Sequence, residues 1–479
     1  MSHDHRVAVV GAGPGGLAAA RYLRQAGFLP TLFDQADGVG GQWRVGAPHS
    51  KVWPGMRTNS SRVMTAFGEL AYPPGTAVYP TAEQVGAYLA RYAERFELLS
   101  DARFGTRVES VARDAGAWRV RARGADGVGM TETFARVVVA SGWCGRPAVP
   151  AVDGLDGFAG RGGVTHAAAY RGAAAFRGLR VLVAGGGISA LEIASELAVQ
   201  GAERVALASR RQRYVMQKLL AGVPADHVAF TRFAALAGET FPPAASAAAL
   251  KALVVATSGR PEQLGAPAPA DDLFAAGLTL SQHYLPLVAE GRIAPRPWIA
   301  RVDGATVHFA DGTAEAFDAI VLGTGYAPDL SYLGPDVRAV LGTPPALHAL
   351  TLHPDLPGLA FLGQFEQVGP HLPTLELQAR WIAYAWSGRV ALPTREAMAA
   401  RLEAAPPHGV PMQVAARLFA RAAGVEPDPR AWPALARALL FGPMSPATFR
   451  LSGPDALPAA PAAAAADAAA FGSGADGAL

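Results

Sequence analysis

Two glycine-rich turns carry the residues of this chain best suited to chemistry. The first is Gly11-Ala12-Gly13-Pro14-Gly15-Gly16, where glycines at 11, 13 and 16 let backbone amides approach a pyrophosphate without side chains in the way. The second is Gly185-Gly186-Gly187-Ile188-Ser189-Ala190, with alanine at the third position, a change that helix–strand packing tolerates. Asp34 follows the first turn where an acid accepts from ribose hydroxyls. After the second turn that place is taken by Arg210 and Arg211, whose forked donors suit an extra phosphate. One such turn alone is a weak signal, and a sharp structural bend is the alternative. Two of them in one chain imply that one nucleotide reduces another.

The surrounding pattern supplies the elements these turns need. Arg6–Val10 is a short apolar run, and residues 17–26 read as a helix closed by Gly27, giving strand, turn and helix in order. Arg180–Ala184 and a helix packing through Leu191, Ile193, Ala194, Leu197 and Ala198 repeat the unit. Between the two lies a glycine-dense turn with Gly41, Gln42 and Trp43, which would admit a second part of a large cofactor and cover an apolar ring. A polar stretch at 57–62 includes Thr58 and Asn59. Residues 81–84 form a capping box before a helix whose Val85, Tyr88, Leu89, Tyr92 and Phe96 read as core. Residues 106–125 read as a hairpin with Trp118, Val120 and Ala122 on one side. Residues 214–290 are irregular and alanine-rich, an insertion of helices and loops with no readable order. Residues 318–322 form a strand entering Gly323-Thr324-Gly325-Tyr326, a return to the first domain, and 375–390 read as a helix. The last stretch, 458–479, is alanine, glycine and proline, expected to be disordered and dispensable.

Composition narrows the function. A chain of 479 residues with 51% hydrophobic residues, 54 glycines and 38 prolines fits a large α/β enzyme of two or three domains. Formal net charge is +3 and the basic residues are scattered, so no nucleic acid partner is expected. The single cysteine, Cys144, excludes an internal disulfide, a Cys-x-x-Cys redox pair and a multi-cysteine metal site; no metal is expected. No stretch has the length and apolarity of a membrane span or an export signal, and a cytoplasmic enzyme is expected.

Taken together these residues resemble the class B flavin-dependent monooxygenases, most closely the flavin-containing monooxygenases that oxygenate nitrogen and sulfur, over nearly all of the chain up to about Pro454. The family's FAD fingerprint is matched by Gly11, Gly13 and Gly16. Its glycine-glycine-x-tryptophan signature is matched by Gly40, Gly41 and Trp43. The NADPH fingerprint corresponds to Gly185, Gly187 and Ala190, the phosphate-binding arginine to Arg210, and the asparagine facing the flavin and NADP to Asn59. The resemblance implies FAD and NADPH as cofactors, bound by Gly11, Gly13, Pro14, Gly15, Gly16, Asp34, Gly41, Gln42, Trp43, Thr58, Asn59, Gly185, Gly187, Ile188, Ser189, Ala190, Arg210, Arg211, Thr324, Gly325, Tyr326 and Gln364, with Asn59 catalytic. It implies an α/β fold of two Rossmann-like dinucleotide-binding domains, the NADPH domain inserted in the FAD domain, with a helical C-terminal segment. The expected bounds are 1–164 for the first FAD part, 165–318 for NADPH, 319–455 for the FAD return and C-terminal helices, and 456–479 for the tail. The implied reaction passes one oxygen atom from a C4a-peroxyflavin, formed with O2, to a nucleophilic nitrogen or sulfur of a small molecule. Ketone insertion of the Baeyer–Villiger type, an uncoupled NADPH oxidase and a non-catalytic nucleotide-binding scaffold are the alternatives, and a homodimer is among the expected assemblies. Two departures stand out. Five residues rather than three separate Gly160 from His166, and Tyr170 occupies the position that is tryptophan in Baeyer–Villiger members, which weighs against ketone insertion.

Overall fold

The computed structural model describes residues 5–406 and 408–472. Strand β1 (Arg6–Val10) buries Val7, Ala8, Val9 and Val10, so both of its faces are covered. Such a strand belongs at the centre of a parallel sheet. Helix α1 (Pro14–Gln25), β2 (Leu29–Phe33), α2 (Ala82–Arg95), β3 (Ala102–Arg103) and β4 (Arg136–Val139) complete the first passage. A second unit follows with β5 (Gly163–His166), β6 (Arg180–Ala184), α3 (Ile188–Gln200), β7 (Arg204–Ala208), α4 (Ala225–Ala229), β8 (Ile293–Arg296) and β9 (Ala319–Leu322). The chain then returns through β10 (Leu359–Phe361) and α5 (Leu372–Trp386) and ends in α6 (Ala460–Ala469).

The two sheets are both five-stranded and parallel, in the orders β10-β4-β1-β2-β3 and β8-β7-β6-β9-β5. In each, the winding direction reverses beside the central strand, β1 or β6. The crevice at the carboxyl ends of the strands there is where doubly wound folds bind nucleotides. Side-chain alternation builds the layers. Val7 and Val9 pack with α1, α2 and α5, while Ala8 and Val10 face Trp118, Val120 and Ala122 of a three-stranded antiparallel sheet. Val181 and Val183 face α3, and Leu182 and Ala184 face Val302, Val307 and Phe309. The expected α/β architecture, with one Rossmann-like unit inside the other and a helical C-terminal segment, is what the chain adopts. The capping box forms, with Gln84 N donating to Thr81 Oγ1 at 3.3 Å and Thr81 N to Gln84 Oε1 at 2.9 Å.

Three expectations need correction. Both bounds of the inserted unit move: the one at 164/165 cuts through β5, and the one at 318/319 falls too early, because β9 sits between β6 and β5 in the second sheet and the return begins only after Leu322. The hairpin gains a third strand, Gly129–Phe134, whose last residue covers Trp118. The tail is the third, since its described part is helical rather than disordered. Ala460, Ala464 and Ala468 recur every fourth residue and are 3%, 2% and 5% exposed, so one stripe of methyl groups lies against the body. Small residues permit that approach: a Cβ on Gly442 would lie 3.2 Å from Ala468 Cβ. Residues 473–479 lie outside the described residues.

Each unit also has a polar anchor on its first helix. On α1, Tyr22 donates to Glu376 Oε1 at 2.6 Å and bonds Arg450. Arg450, 1% exposed, pairs with Glu376 at 2.6 Å, Asp455 at 2.5 Å and Glu69 at 3.1 Å. On α3, Glu192 accepts from Lys218 Nζ and from Ser281 Oγ, each at 3.0 Å. The two crossings between units are tied together: Arg146–Pro147 pairs with Tyr326–Ala327, and Thr324 Oγ1 donates to Ala148 O at 2.6 Å.

Candidate active site

The first turn is built for close approach of backbone. Gly11 has φ +110°, and a Cβ there would run into the carbonyl oxygen of Ala140. A Cβ on Gly16 would overlap the carbonyl oxygen of Gly11, which fixes how tightly α1 lies on β1. The second glycine turn faces the first. Gly40 N donates to Ala12 O at 3.0 Å, and a Cβ on Gly41 would lie 2.9 Å from Gly13 Cα. The N-cap of α1, Gly13, makes no side-chain cap bond, and Pro14 has no N–H, so the amides of Gly15 and Gly16 are the donors at the helix start. This cradle fits a dinucleotide pyrophosphate.

Asp34 ends β2 as expected and also braces the turn. Its Oδ2 accepts from Ala12 N at 2.7 Å and its Oδ1 from Ala36 N at 2.8 Å. Trp43 is half-buried against the first core, and its carbonyl oxygen would lie 2.8 Å from a Cβ on Gly86, so the turn rests on α2; Gln42 is exposed. Thr58 is turned inward, donating to Ser60 O at 2.8 Å.

Two amides stand apart. The Oδ1 of Asn59 is buried without a hydrogen-bond partner among the described residues, and so are both Oε1 and Nε2 of Gln364. Gln364 follows β10 at the carboxyl end of the first sheet, two residues beyond Leu362, whose side chain would lie 2.6 Å from a Cβ on Gly15. Buried polar atoms without partners are costly, and a ligand with donors and acceptors on a flat ring relieves that cost.

The second turn repeats the plan with one difference. Gly185 has φ +140°, and a Cβ there would meet Gly323 O. Gly187 caps α3 without a side-chain bond, and nothing described lies within 4 Å of the place its Cβ would take. Ile188 and Ser189 are exposed at the mouth, and Ala190 is fully buried. Ala190 fits because its neighbour is Gly323, where a Cβ would lie 2.7 Å from that of Ala190. The two arginines separate. Arg211 Nη1 donates to Ala275 O at 2.8 Å, whereas Arg210 is exposed with its guanidinium 4.8 Å from the ring centre of Trp298. Thr324, Gly325 and Tyr326 lie where the two linkers cross, Tyr326 edge-on to His166 at 5.3 Å.

Several residues have other work. His166 Nδ1 accepts from Ala168 N at 3.1 Å, ending β5. Burial pushes the Cys144 thiol up, away from a nucleophilic thiolate. Tyr170 is core, edge-on to Trp53 at 5.1 Å and stacked on Phe176 at 5.7 Å, so its side chain bears on packing. Sequence reasoning missed Gly323 as the partner of Ala190, Trp298 beneath Arg210, and the contacts of Ser61 with Asp226 and His227. Of these, Ser61 alone lies in the polar stretch at 57–62. Among the described residues no group of three or more His, Cys, Asp or Glu is arranged to hold a metal, and no helix is long and apolar enough to cross a membrane.

Comparison with known proteins agrees with this geometry. A family model described as Flavin-binding monooxygenase-like matches residues 4–410. Dimethylaniline monooxygenase (N-oxide-forming) 2 of Mus musculus is 29% identical over 413 residues, covering 82% of this chain and 76% of the relative. The structure of S-allyl-L-cysteine S-oxygenase from Allium sativum aligns with a TM-score of 0.57 at 24% identity, covering 82% of this chain and 79% of that one. Cyclohexanone monooxygenase from Rhodococcus sp. Phi1, bound to NADP+, aligns with a TM-score of 0.65 at 20% identity over 88% and 97%. An S-oxygenase and a cyclohexanone monooxygenase thus share the fold. With the family matched across both glycine turns and the crevices between them, the chain belongs to the flavin-binding monooxygenase-like family and is an FAD- and NADPH-dependent monooxygenase that uses O2 on small organic substrates.

Proposed function

We propose that this monooxygenase delivers its oxygen atom to a nucleophilic nitrogen or sulfur, with Asn59 and Gln364 facing the flavin and Arg210 selecting NADPH. The observation that carries the reading is the family match across both glycine turns, together with the unpartnered buried amide atoms of Asn59 and of Gln364, which follows β10 at the carboxyl end of the first sheet. FAD, when bound, supplies hydride acceptance and oxygen activation. The chain supplies the rest. The first cradle and its uncapped helix hold the FAD pyrophosphate, and the second holds that of NADPH. An amide donates and accepts at once, so Asn59 can keep the flavin edge and the nicotinamide in register. The buried surroundings exclude water that would divert the oxygen to peroxide. Nitrogen as acceptor is supported by the N-oxide-forming activity in the name of the Mus musculus relative. The proposed units are an FAD domain built on the first sheet and an NADPH domain spanning residues 163–322, in a cytoplasmic enzyme; light scattering checks a homodimer.

The test is NADPH-driven turnover of N,N-dimethylaniline, thioanisole and cyclohexanone. N-oxide and sulfoxide are expected, and lactone as the sole product would overturn the reading. Asn59→Leu preserves approximate size and removes both hydrogen-bonding functions. It should keep its FAD, measured by absorbance per chain, while product formed per NADPH falls about tenfold and peroxide rises. An unchanged ratio removes Asn59 from the site.

A further inference from the structure

Ser61 lies two residues beyond Asn59 and is fully buried. Most hydrogen bonds of its loop are local to the first unit: Thr58 N donates to Pro80 O at 2.9 Å, Arg62 N to Val78 O at 2.7 Å, and Ser60 Oγ shares a bond with Thr65 Oγ1 at 2.8 Å. Ser61 is different. Its N–H donates to Asp226 Oδ2 at 2.6 Å, and its hydroxyl lies 3.1 Å from His227 Nε2. Both partners stand on α4, in the insertion of the second unit, more than 160 positions away in sequence. They are 3% and 0% exposed.

The insertion is in turn fastened to the NADPH unit. Ala225 N donates to Lys218 O at 2.8 Å, and Lys218 Nζ reaches Glu192 of α3. Lys218 O also accepts from Tyr79 OH, on the first-unit segment that carries Val78 and Pro80. A run of hydrogen bonds therefore joins the helix whose N-terminus forms the second cradle to the loop that carries Asn59.

We infer that Asp226 is a positioning residue of the oxygenation site: through Ser61 it holds the Asn59 loop in register, so that the insertion of the second unit governs how much oxygen reaches substrate. A carboxylate in a buried place needs a specific return for its desolvation, and the charge-assisted bond to Ser61 N is the one its Oδ2 makes. Burial raises the Asp226 carboxyl to about 6 and lowers the His227 imidazole to about 4, so at neutral pH the acid is an acceptor and the ring is neutral and able to share a proton with Ser61 Oγ. His227 is backed by Phe471, edge-on at 5.0 Å, which limits its freedom to turn away.

This inference rests on the placement of Asn59 at the flavin, and the experiment separates the two. The FAD-loaded full chain is assayed with N,N-dimethylaniline for product and peroxide per NADPH, and amide hydrogen exchange is followed in residues 58–65. Asp226→Ala should keep FAD and NADP+ affinity, exchange at Ser61 about tenfold to a hundredfold faster, and lose coupling about tenfold. Asp226→Asn keeps an oxygen for Ser61 N and should recover most of the coupling, which a general loss of stability would not predict. Should Asp226→Ala fail to fold, Asp226→Thr, close to aspartate in size, draws the acceptor oxygen back from Ser61 N, and uncoupling is again expected. Wild-type coupling and exchange in Asp226→Ala, or wild-type coupling in Asp226→Thr where the alanine variant does not fold, overturns the inference. If Asn59→Leu uncouples while Asp226→Ala does not, only the clamp fails. If Asn59→Leu stays coupled, the placement of Asn59 fails and the clamp with it.

Discussion

The two nucleotide cradles meet the same requirement with different tolerances. In the first, the third glycine, Gly16, lies against the carbonyl oxygen of its own turn, so even a methyl group is excluded by backbone. In the second, the third position is Ala190, and room for its methyl comes from Gly323 at the end of β9. What the fold demands is clearance between helix and strand, and the glycine that gives it can sit on either side. The first cradle obtains it from adjacent residues. The second obtains it across more than a hundred positions.

The largest effect that would break this comparison is at Gly16. In Gly16→Ala the new methyl meets a backbone oxygen that cannot swing aside, so α1 must lift from β1 and the pyrophosphate donors move with it. Loss of FAD from purified protein, or failure to fold, is expected. A folded Gly16→Ala chain with one FAD each would show that the first cradle is as tolerant as the second.

That contrast also explains what was legible in the sequence. The strand–turn–helix units could be read because their signals are local, namely apolar runs of strand length, glycines at fixed offsets and a capping box at Thr81. The compensation of Ala190 by Gly323 could not, since it depends on β9 lying next to β6. The Asp226–Ser61 contact was hidden for the same reason, in an insertion whose alanine-rich helices have weak periodicity. The tail failed differently. Alanine offers little apolar surface per residue, but methyl groups at every fourth position suffice when the opposing surface offers Gly442.

The anchors of the two helices differ in the same sense. Tyr22 of α1 is held in a buried cluster of Arg450, Glu376 and Asp455, whereas Glu192 of α3 meets Lys218 nearer the surface. Removing one partner from a buried pair leaves an uncompensated charge. Arg450→Met should therefore cost about 3–5 kcal/mol in denaturant unfolding, and Lys218→Met clearly less. Equal losses would erase the distinction.

Cofactor choice sharpens the comparison further. Asp34 closes the first cradle with an acid, and the second presents Arg210 on the face of Trp298, free of any ion pair among the described residues. Arg210→Ala should lower the preference for NADPH over NADH by roughly 1.5–3 kcal/mol, or about one to two decades, in reduction kinetics and in NADP+ affinity. Arg211, already bonded to Ala275 O, should matter less when replaced by alanine.

The smallest expected effect tests the clearance idea most directly. Gly323→Ala would place a methyl 2.7 Å from that of Ala190, and here the obstacle is a side chain as well as backbone. Overpacking of this kind costs about 1–3 kcal/mol. It should appear as a lowered Tm and weaker NADP+ binding, with FAD content unchanged because the first cradle is untouched. Adding Ala190→Gly removes the side-chain part of the obstacle, leaving the Cα of residue 190 at 2.8 Å, at a helix-propensity cost of about 1 kcal/mol near the start of α3. If clearance is what the third position supplies, the double variant should bind NADP+ more tightly than Gly323→Ala alone, and a double-mutant cycle should show favourable coupling between the two sites. Strictly additive losses would mean that Gly323 serves the turn of its own chain segment and that Ala190 is accommodated by some other adjustment of α3.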